Sequence, residues 1–466
     1  MIDADEIEAM AESLDVHTSH VQRDYIHGWV LSHLYKTSNL SDRLVLKGGN
    51  SLRKGYFSSA RYSRDLDFTT STGISNDELH SELNSLCRSI SVDTGIEFDT
   101  SRTTVANKNR ADKEKTISEA RLYFSDFYGN ESTIVLAVRL DITQFDRIYL
   151  PVQERILIHP YSDAPICSTP IRCVKLEEIL ASKMRCLLQR KHIADLFDLV
   201  YATIISPEID VNRAELLSTF FRITIFGRRP SVAKGLLLEL PFESLRGLWD
   251  RFINCPAISR FDFARAKEGL VALIEEMIPG RAETDFDPVF FPAAKRNPIM
   301  EAANTQTVLR FTYDGVERLV EPYELTFKIR RDNVAREYFY GYDQTGGRSS
   351  PPGLKTFVSD KVQRIETTDI KFEPRATIEL SKAGGSETIG RFEGRHGFRV
   401  PRVSAILGRV PKRRANRRTT YRETSPYKVE CPYCQKRFSR KRLDTKLNSH
   451  KDKYGNRCHG KRGYLV

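Results

Sequence analysis

No stretch of this 466-residue chain comes near the roughly 18 consecutive apolar residues that a membrane-spanning helix requires, so no such span is expected. The opening residues, Met1-Ile2-Asp3-Ala4-Asp5-Glu6, are acidic and lack the basic-then-apolar leader of a secreted protein, which points to the cytoplasm. Internal repeats are absent. So is a disulfide framework: Cys87, Cys167, Cys173, Cys186 and Cys255 are scattered and read as small apolar residues of a reduced protein. Most of the chain also lacks net positive charge. Its first 375 residues hold 49 Lys+Arg against 54 Asp+Glu, whereas residues 376–466 hold 24 against 7. The overall +12 therefore comes from a C-terminal segment of +17. Such asymmetry suggests a module that meets nucleic-acid phosphates, or else a solubilising tail.

At about 150 residues per domain, the length implies roughly three units. Residues 1–205 alternate helical and strand patterns, and residues 206–292 read as a helical lobe ending in the Pro/Phe-rich stretch Phe286–Pro292. From Pro298 to Arg375 the pattern turns to short β-like runs, Val308–Tyr313, Tyr338–Tyr342 and Lys355–Ser359, so that 296–376 forms a β module. Residues 377–425, with Lys412-Arg413-Arg414-Ala415-Asn416-Arg417-Arg418, read as a basic linker, and 426–466 as a last small unit.

The strongest chemical signal is Leu44-Val45-Leu46-Lys47-Gly48-Gly49-Asn50-Ser51-Leu52, followed by Arg61-Tyr62-Ser63-Arg64-Asp65-Leu66-Asp67-Phe68. An apolar run into Gly-Gly reads as a strand ending in a tight turn that a phosphate can approach. The strand period of two puts Asp65 and Asp67 on one sheet face. Two carboxylates that close repel unless a cation lies between them, and hard oxygen ligands suit Mg²⁺ (or Mn²⁺) with NTP phosphates. In Ile134–Ile142 the even positions are apolar, so Asp141 faces the other way, a third carboxylate of the kind a two-metal transfer site uses. Alone, such an acid is more often an ion-pair partner of its neighbour, here Arg139. On the next helix Leu176, Ile179, Leu180, Met184 and Leu187 form one stripe with Lys183 inside it, and Arg190 lies seven residues on along the same side. A buried ammonium requires anions, either phosphate oxygens or aspartates. In the following helix Ile193, Leu196, Phe197 and Val200 make the apolar face, so Asp195 and Asp198 are expected to project away from the core.

These two blocks together resemble the AbiEii/AbiGii-type nucleotidyltransferase toxins of bacterial abortive-infection and toxin–antitoxin systems, within the polymerase-β-like superfamily. The resemblance covers residues 40–205 and departs from the family at Asn50, where Thr is usual, and at Ala194, where Arg is usual. It implies catalytic roles for Asp65, Asp67, Asp141, Lys183, Asp195 and Asp198. It implies nucleotide contacts for Lys47, Gly48, Gly49, Asn50, Ser51, Arg61, Ser63 and Arg190. It also implies NTP as substrate, an RNA acceptor such as tRNA (or DNA), and a cognate antitoxin or defence partner.

The segment with Glu337-Tyr338-Phe339 is similar to WYL domains, small SH3-like β-barrels, with Arg330, Arg331, Arg336 and Arg348 as candidate phosphate contacts or simply a solvated face. In the tail, Cys431-x2-Cys434, Phe438, Leu447 and His450 are similar to Cys/His zinc fingers, the fourth Zn²⁺ ligand being Cys458 in preference to the adjacent His459. Lys436, Arg437, Arg440, Lys441, Arg442 and Lys446 surround it. The expected architecture is therefore multidomain α+β: a polymerase-β-like nucleotidyltransferase with a helical lobe, an SH3-like WYL module and a zinc finger. The rival reading is a nucleic-acid-binding regulator whose transferase fold is inactive.

Overall fold

The computed structural model describes residues 2–111, 116–125, 127, 135–283, 289–329, 335–347, 350–381, 427–431, 434, 436–440, 446–451, 457–458 and 464–465. Most of the 377–425 linker, and Arg330, Arg331, Arg348, Lys441, Arg442 and His459, lie outside them. The chain divides into two compact units, Met1–Ser404 and Ala405–Val466.

The first unit is mixed α/β. Helices α1 (Ala4–Leu14) and α2 (Thr18–Thr37) lead into β1 (Val45–Lys47), which runs directly into the short α3 (Gly48–Ser51). Next come β2 (Asp65–Thr70), α4 (Asn76–Thr94), β3 (Thr104–Asn107), β4 (Ile117–Ser125) and β5 (Val135–Gln144). Then follow β6 (Gln153–Ile156), α5 (Ala164–Cys167), β7 (Pro170–Cys173), α6 (Leu176–Gln189) and α7 (Ile193–Val200). The seven strands form one sheet in the order β3-β4-β5-β2-β1-β7-β6. β2 lies parallel to β5 and β1 parallel to β7; the other pairs are antiparallel. The local signals are ordinary ones. Asp3 and Ser75 cap α1 and α4 through their side-chain oxygens, and Gly95 ends α4 at φ 75°.

A helical lobe follows: α8 (Arg213–Ile223), α9 (Pro230–Leu238), α10 (Phe242–Arg246), α11 (Trp249–Phe252) and α12 (Phe263–Met277). Its apolar residues share one core with the sheet domain, from Ile2 to Phe290. No helix among the described residues is long and apolar enough to cross a membrane.

The next segment differs from the sequence expectation at its start. Residues 298–305 are helical, within α13 (Ala293–Thr305), despite Pro298 in the helix interior. Tertiary packing outweighs the lost hydrogen bond, because Ile299, Met300, Ala302 and Ala303 are buried in the core of the β module. Five antiparallel strands follow: β8 (Thr307–Tyr313), β9 (Val316–Ile329), β10 (Ala335–Asp343), β11 (Gly353–Phe357) and β12 (Val362–Lys371), in the order β11-β10-β9-β8-β12. Glu337, fully buried on β10, accepts two hydrogen bonds from the buried Arg296 guanidinium (2.8 and 2.6 Å) and one from the Phe291 amide. Removing one partner strands the other's charge. Arg296→Met should therefore lower unfolding free energy by about 3–5 kcal/mol, measured by urea titration, whereas breaking an exposed, solvent-screened pair such as Lys361–Asp314 should change it far less.

The β module is fastened to the sheet domain by residues 108–111, just after β3. Lys108 reaches the carboxylate of Asp141 on β5 and lies 3.8 Å from Glu119. Asn109 exchanges hydrogen bonds with the backbone at Arg375 and Thr377, and Arg110 pairs with Glu324 (2.6 Å). Ala111 packs with Val308, Tyr323 and Phe372. A second tie runs from Lys191 to Glu301 and to the carbonyl of Leu380.

In the second unit, β13 (Tyr427–Glu430) pairs with β14 (Arg437–Arg440) and β17 (Tyr464–Leu465), and β15 (His450–Lys451) pairs with β16 (Arg457–Cys458).

Candidate active site and metal centre

The carboxylates owe their arrangement to strand register. β2 pairs with β5 so that Asp65 lies opposite Arg139 and Asp67 opposite Asp141; β4 adds Glu119 opposite Asp141, and β1 adds Lys47 opposite Asp67. Directly opposed residues share a face, so Asp65, Asp67 and Asp141 stand together on one side of the sheet, with Leu66 and Phe68 buried on the other. Arg139 is not the partner of Asp141: it pairs with Asp65, across the strand boundary. Burial opposes the charge of Asp65, but the Arg139 guanidinium outweighs it and holds the carboxyl below its usual range. Lys108 and Glu119 carry no sequence signal of their own. Only the register brings them to Asp141.

Two features of this face fit a divalent cation. Asp141 gives Oδ2 to Lys108, while its Oδ1 is buried without a hydrogen-bond partner. Gly48 sits at φ 75°, and a Cβ on it would fall 2.5 Å from Asp67 Oδ2. Any other residue would be strained there and would press on that carboxylate. A Cβ on Gly49 would likewise meet Ser63 Oγ at 2.8 Å and Arg61 Nη2 at 3.0 Å. The Gly-Gly pair thus lets β1 close against both halves of the second motif. Asn50 and Ser51 are buried: Asn50 Nδ2 donates to the carbonyls of Asp65 (2.7 Å) and Ser63 (3.4 Å). Lys47 Nζ donates to Thr143 Oγ1 and Asp146 Oδ2.

Asp195 and Asp198 do not project away from the core. All eight residues of α7 are buried, and its polar side faces α6. Lys183 Nζ lies 3.1 Å from Asp195 Oδ1 and 2.7 Å from Asp198 Oδ2. Arg61 grips Asp198 with two hydrogen bonds (2.7 and 2.9 Å), and Arg190 grips Asp195 likewise (2.8 and 3.0 Å). Three cations face two carboxylates. Burial alone would raise both acids, yet Arg190 and Lys183 hold Asp195 well below the usual carboxylate range, and Arg61 and Lys183 depress Asp198. The cluster adjoins the Gly-Gly turn through Arg61.

In the second unit, Cys431, Cys434, His450 and Cys458 offer ligand atoms that all lie within 4.8 Å of one another, with Cys431 Sγ and Cys458 Sγ 3.7 Å apart. Tetrahedral Zn–S bonds of about 2.3 Å require an S–S separation of about 3.8 Å. His450 Nδ1 donates to the Asn448 carbonyl (2.8 Å), which fixes the tautomer and leaves the buried Nε2 without a hydrogen-bond partner. The donor set fits zinc. Val429, Leu447 and Phe438 supply a minimal core, and the Phe438 ring stands edge-on to His450.

Comparison with known proteins agrees at the level of family. Residues 29–254 match the family described as nucleotidyl transferase AbiEii toxin, type IV toxin–antitoxin system. Among solved structures, the chain is similar to MenT4, a nucleotidyltransferase toxin from Mycobacterium tuberculosis H37Rv. The two are 17% identical, with 61% of this chain and 89% of that chain covered at a TM-score of 0.36. No curated protein matches the chain.

Proposed function

We propose that the chain, whose residues 29–254 match the AbiEii nucleotidyltransferase toxin family, transfers a nucleotidyl group from an NTP to a hydroxyl of an RNA acceptor such as tRNA, as the toxin of a bacterial toxin–antitoxin or anti-phage pair. The observation that carries this reading is the register that stands Asp65, Asp67 and Asp141 on one sheet face, with an orphaned carboxylate oxygen on Asp141. Those three residues would hold Mg²⁺ or Mn²⁺, which when bound supplies charge neutralisation at the transferring phosphate and activates the attacking hydroxyl. The Gly48-Gly49 turn brings its backbone close to Asp67, with no side chain of its own between that carboxylate and an approaching phosphate. Lys183, held between Asp195 and Asp198, and Arg61 and Arg190 beside it form a preorganised cationic wall. Incubating the protein with each labelled NTP and total RNA tests the reading. One RNA species should gain label, and absence of label from every NTP overturns it.

The appended parts serve the acceptor. The β module, five antiparallel strands in the order β11-β10-β9-β8-β12, would be the WYL-like part and would sense nucleotide or nucleic acid. The C-terminal finger, with Zn²⁺ on Cys431, Cys434, His450 and Cys458, would grip phosphates. Purified protein should contain one equivalent of zinc that is lost from Cys431→Ser/Cys434→Ser, since so small a unit has too little core to fold unaided. Elemental analysis decides this.

Truncation after Ser381 keeps Leu380, buried against the body, and removes 24 Lys+Arg with only 6 Asp+Glu. Nucleic-acid affinity should fall, and the log–log salt slope should flatten by about 0.9 per lost phosphate contact on duplex or about 0.7 on single strands. An unchanged slope in a salt titration would mean that the acceptor is held by the body alone.

A further inference from the structure

Phe145 follows the last residue of β5 and is the only exposed aromatic residue among those described. It is 69% exposed and sits at φ 55°, in the left-handed region that bulky side chains avoid. Its ring is nevertheless fixed. A Cβ on Gly73 would fall 2.8 Å from Phe145 Cζ and 3.6 Å from each Cε, so the tip of the ring rests on the glycine while most of the side chain stays exposed. The next residue, Asp146, accepts from Lys47 Nζ and Thr69 Oγ1 on the face that carries Asp67 and Asp141. Two residues further, the guanidinium of Arg147 lies 4.8 Å from the Tyr149 ring centre, and that of Arg222 on α8 lies 5.5 Å from the same ring. Both arginines are exposed, and neither has an acidic partner among the described residues. The loop itself is pinned where the amides of Tyr149 and Leu150 donate to Glu178.

An exposed aromatic ring on a loop whose Tyr149 gathers two guanidiniums without acidic partners is what a single-stranded nucleic acid needs: a base to stack and phosphates to neutralise. A greasy partner surface would be a poor fit to the charge. Four residues of strand separate Asp141 from Phe145, about 13 Å at the usual rise. We propose that Phe145 is the stacking platform for a base of the single-stranded end that carries the acceptor hydroxyl, with Arg147 and Arg222 holding its phosphates. This rests on the reading of the chain as a nucleotidyltransferase acting on nucleic acid, and it locates the acceptor's path at the β5 end of the sheet.

Phe145→Trp in the full-length protein provides a direct probe. The chain has two tryptophans, Trp29 and Trp249, each 3% exposed, so an indole at 145 would supply the quenchable fluorescence. A 12-nucleotide single-stranded RNA should quench it saturably, while an abasic strand of equal phosphate count should not. Phe145→Ala should raise the acceptor KM about tenfold with the NTP KM and kcat unchanged, and Phe145→Trp should restore it. Equal quenching by the abasic strand, or an acceptor KM unmoved by Phe145→Ala, overturns the platform. A wild-type protein that labels no nucleic acid, yet shows base-dependent quenching in Phe145→Trp, overturns the transfer reading and leaves the platform standing.

Discussion

Asp67→Ala should reduce nucleotidyl transfer by about 10³-fold or more while leaving the protein folded. The carboxylate stands opposite Asp141 and beside Gly48, on the sheet face away from the buried Leu66 and Phe68. A cation that neutralises the transferring phosphate supplies several kcal/mol of transition-state stabilisation, and each 1.4 kcal/mol lost is about tenfold in rate. Stability should stay level or rise, because removing one of several crowded acids relieves repulsion. Initial rates at saturating NTP, paired with a thermal melt, separate the two effects. Full activity in a folded Asp67→Ala protein would falsify the assignment of the metal site. Asp65→Ala should lose activity as well, but it also leaves Arg139 without its partner.

Asp195→Ala should strongly destabilise the body built on the seven-stranded sheet. It removes the carboxylate that accepts two hydrogen bonds from Arg190 and one from Lys183, leaving Arg190 buried without its bidentate partner and Lys183 with Asp198 alone. Breaking a buried pair in this way lowers stability by about 3–5 kcal/mol. Asp195→Asn should show most of the same loss, since an amide returns neither the charge nor the second acceptor. Protonation mimics the change. A carboxyl whose folded pKa is depressed contributes stability above its unfolded value of about 3.8, and that contribution disappears as pH falls through the folded value. Wild-type stability should therefore decline below about pH 4, and the Asp195→Ala protein should lose less over the same window. Denaturant melts at pH 7 and pH 3.5 measure both.

Much of the site can be read from sequence wherever one element carries its whole signal. The period of two in Asp65-Leu66-Asp67-Phe68 foretells a shared face, and the even-position apolar run of β5 turns Asp141 toward it. Cys431, Cys434, His450 and Cys458 are legible because ligand type and spacing suffice. The reading fails where two elements meet. A helical wheel drawn on α7 equates the core with the apolar side, so it turns Asp195 and Asp198 outward, whereas α6 presents Lys183 to that polar side and buries both. Lys108 and Glu119 depend on the pairing of β4 with β5, which no local pattern encodes. Pro298 masks α13 for a related reason, because the packing that stabilises the helix lies in strands that come later in the chain.

The four residues 108–111 also act as a mechanical link. Lys108 neutralises Asp141, and within three residues the same backbone is hydrogen-bonded to the β module and buried in it. A dication held by Asp141 would place its charge next to that ammonium, so the two compete for the carboxylate, and a displaced Lys108 strains the docking of its neighbours. Cation affinity and the seating of the β module are then two sides of one thermodynamic cycle. Whatever loosens residues 109–111 from the module would, by the same free energy, ease cation binding at Asp141, 30 residues downstream of Ala111 and on the second strand from β3 in the sheet, and a bound cation would loosen the module in return.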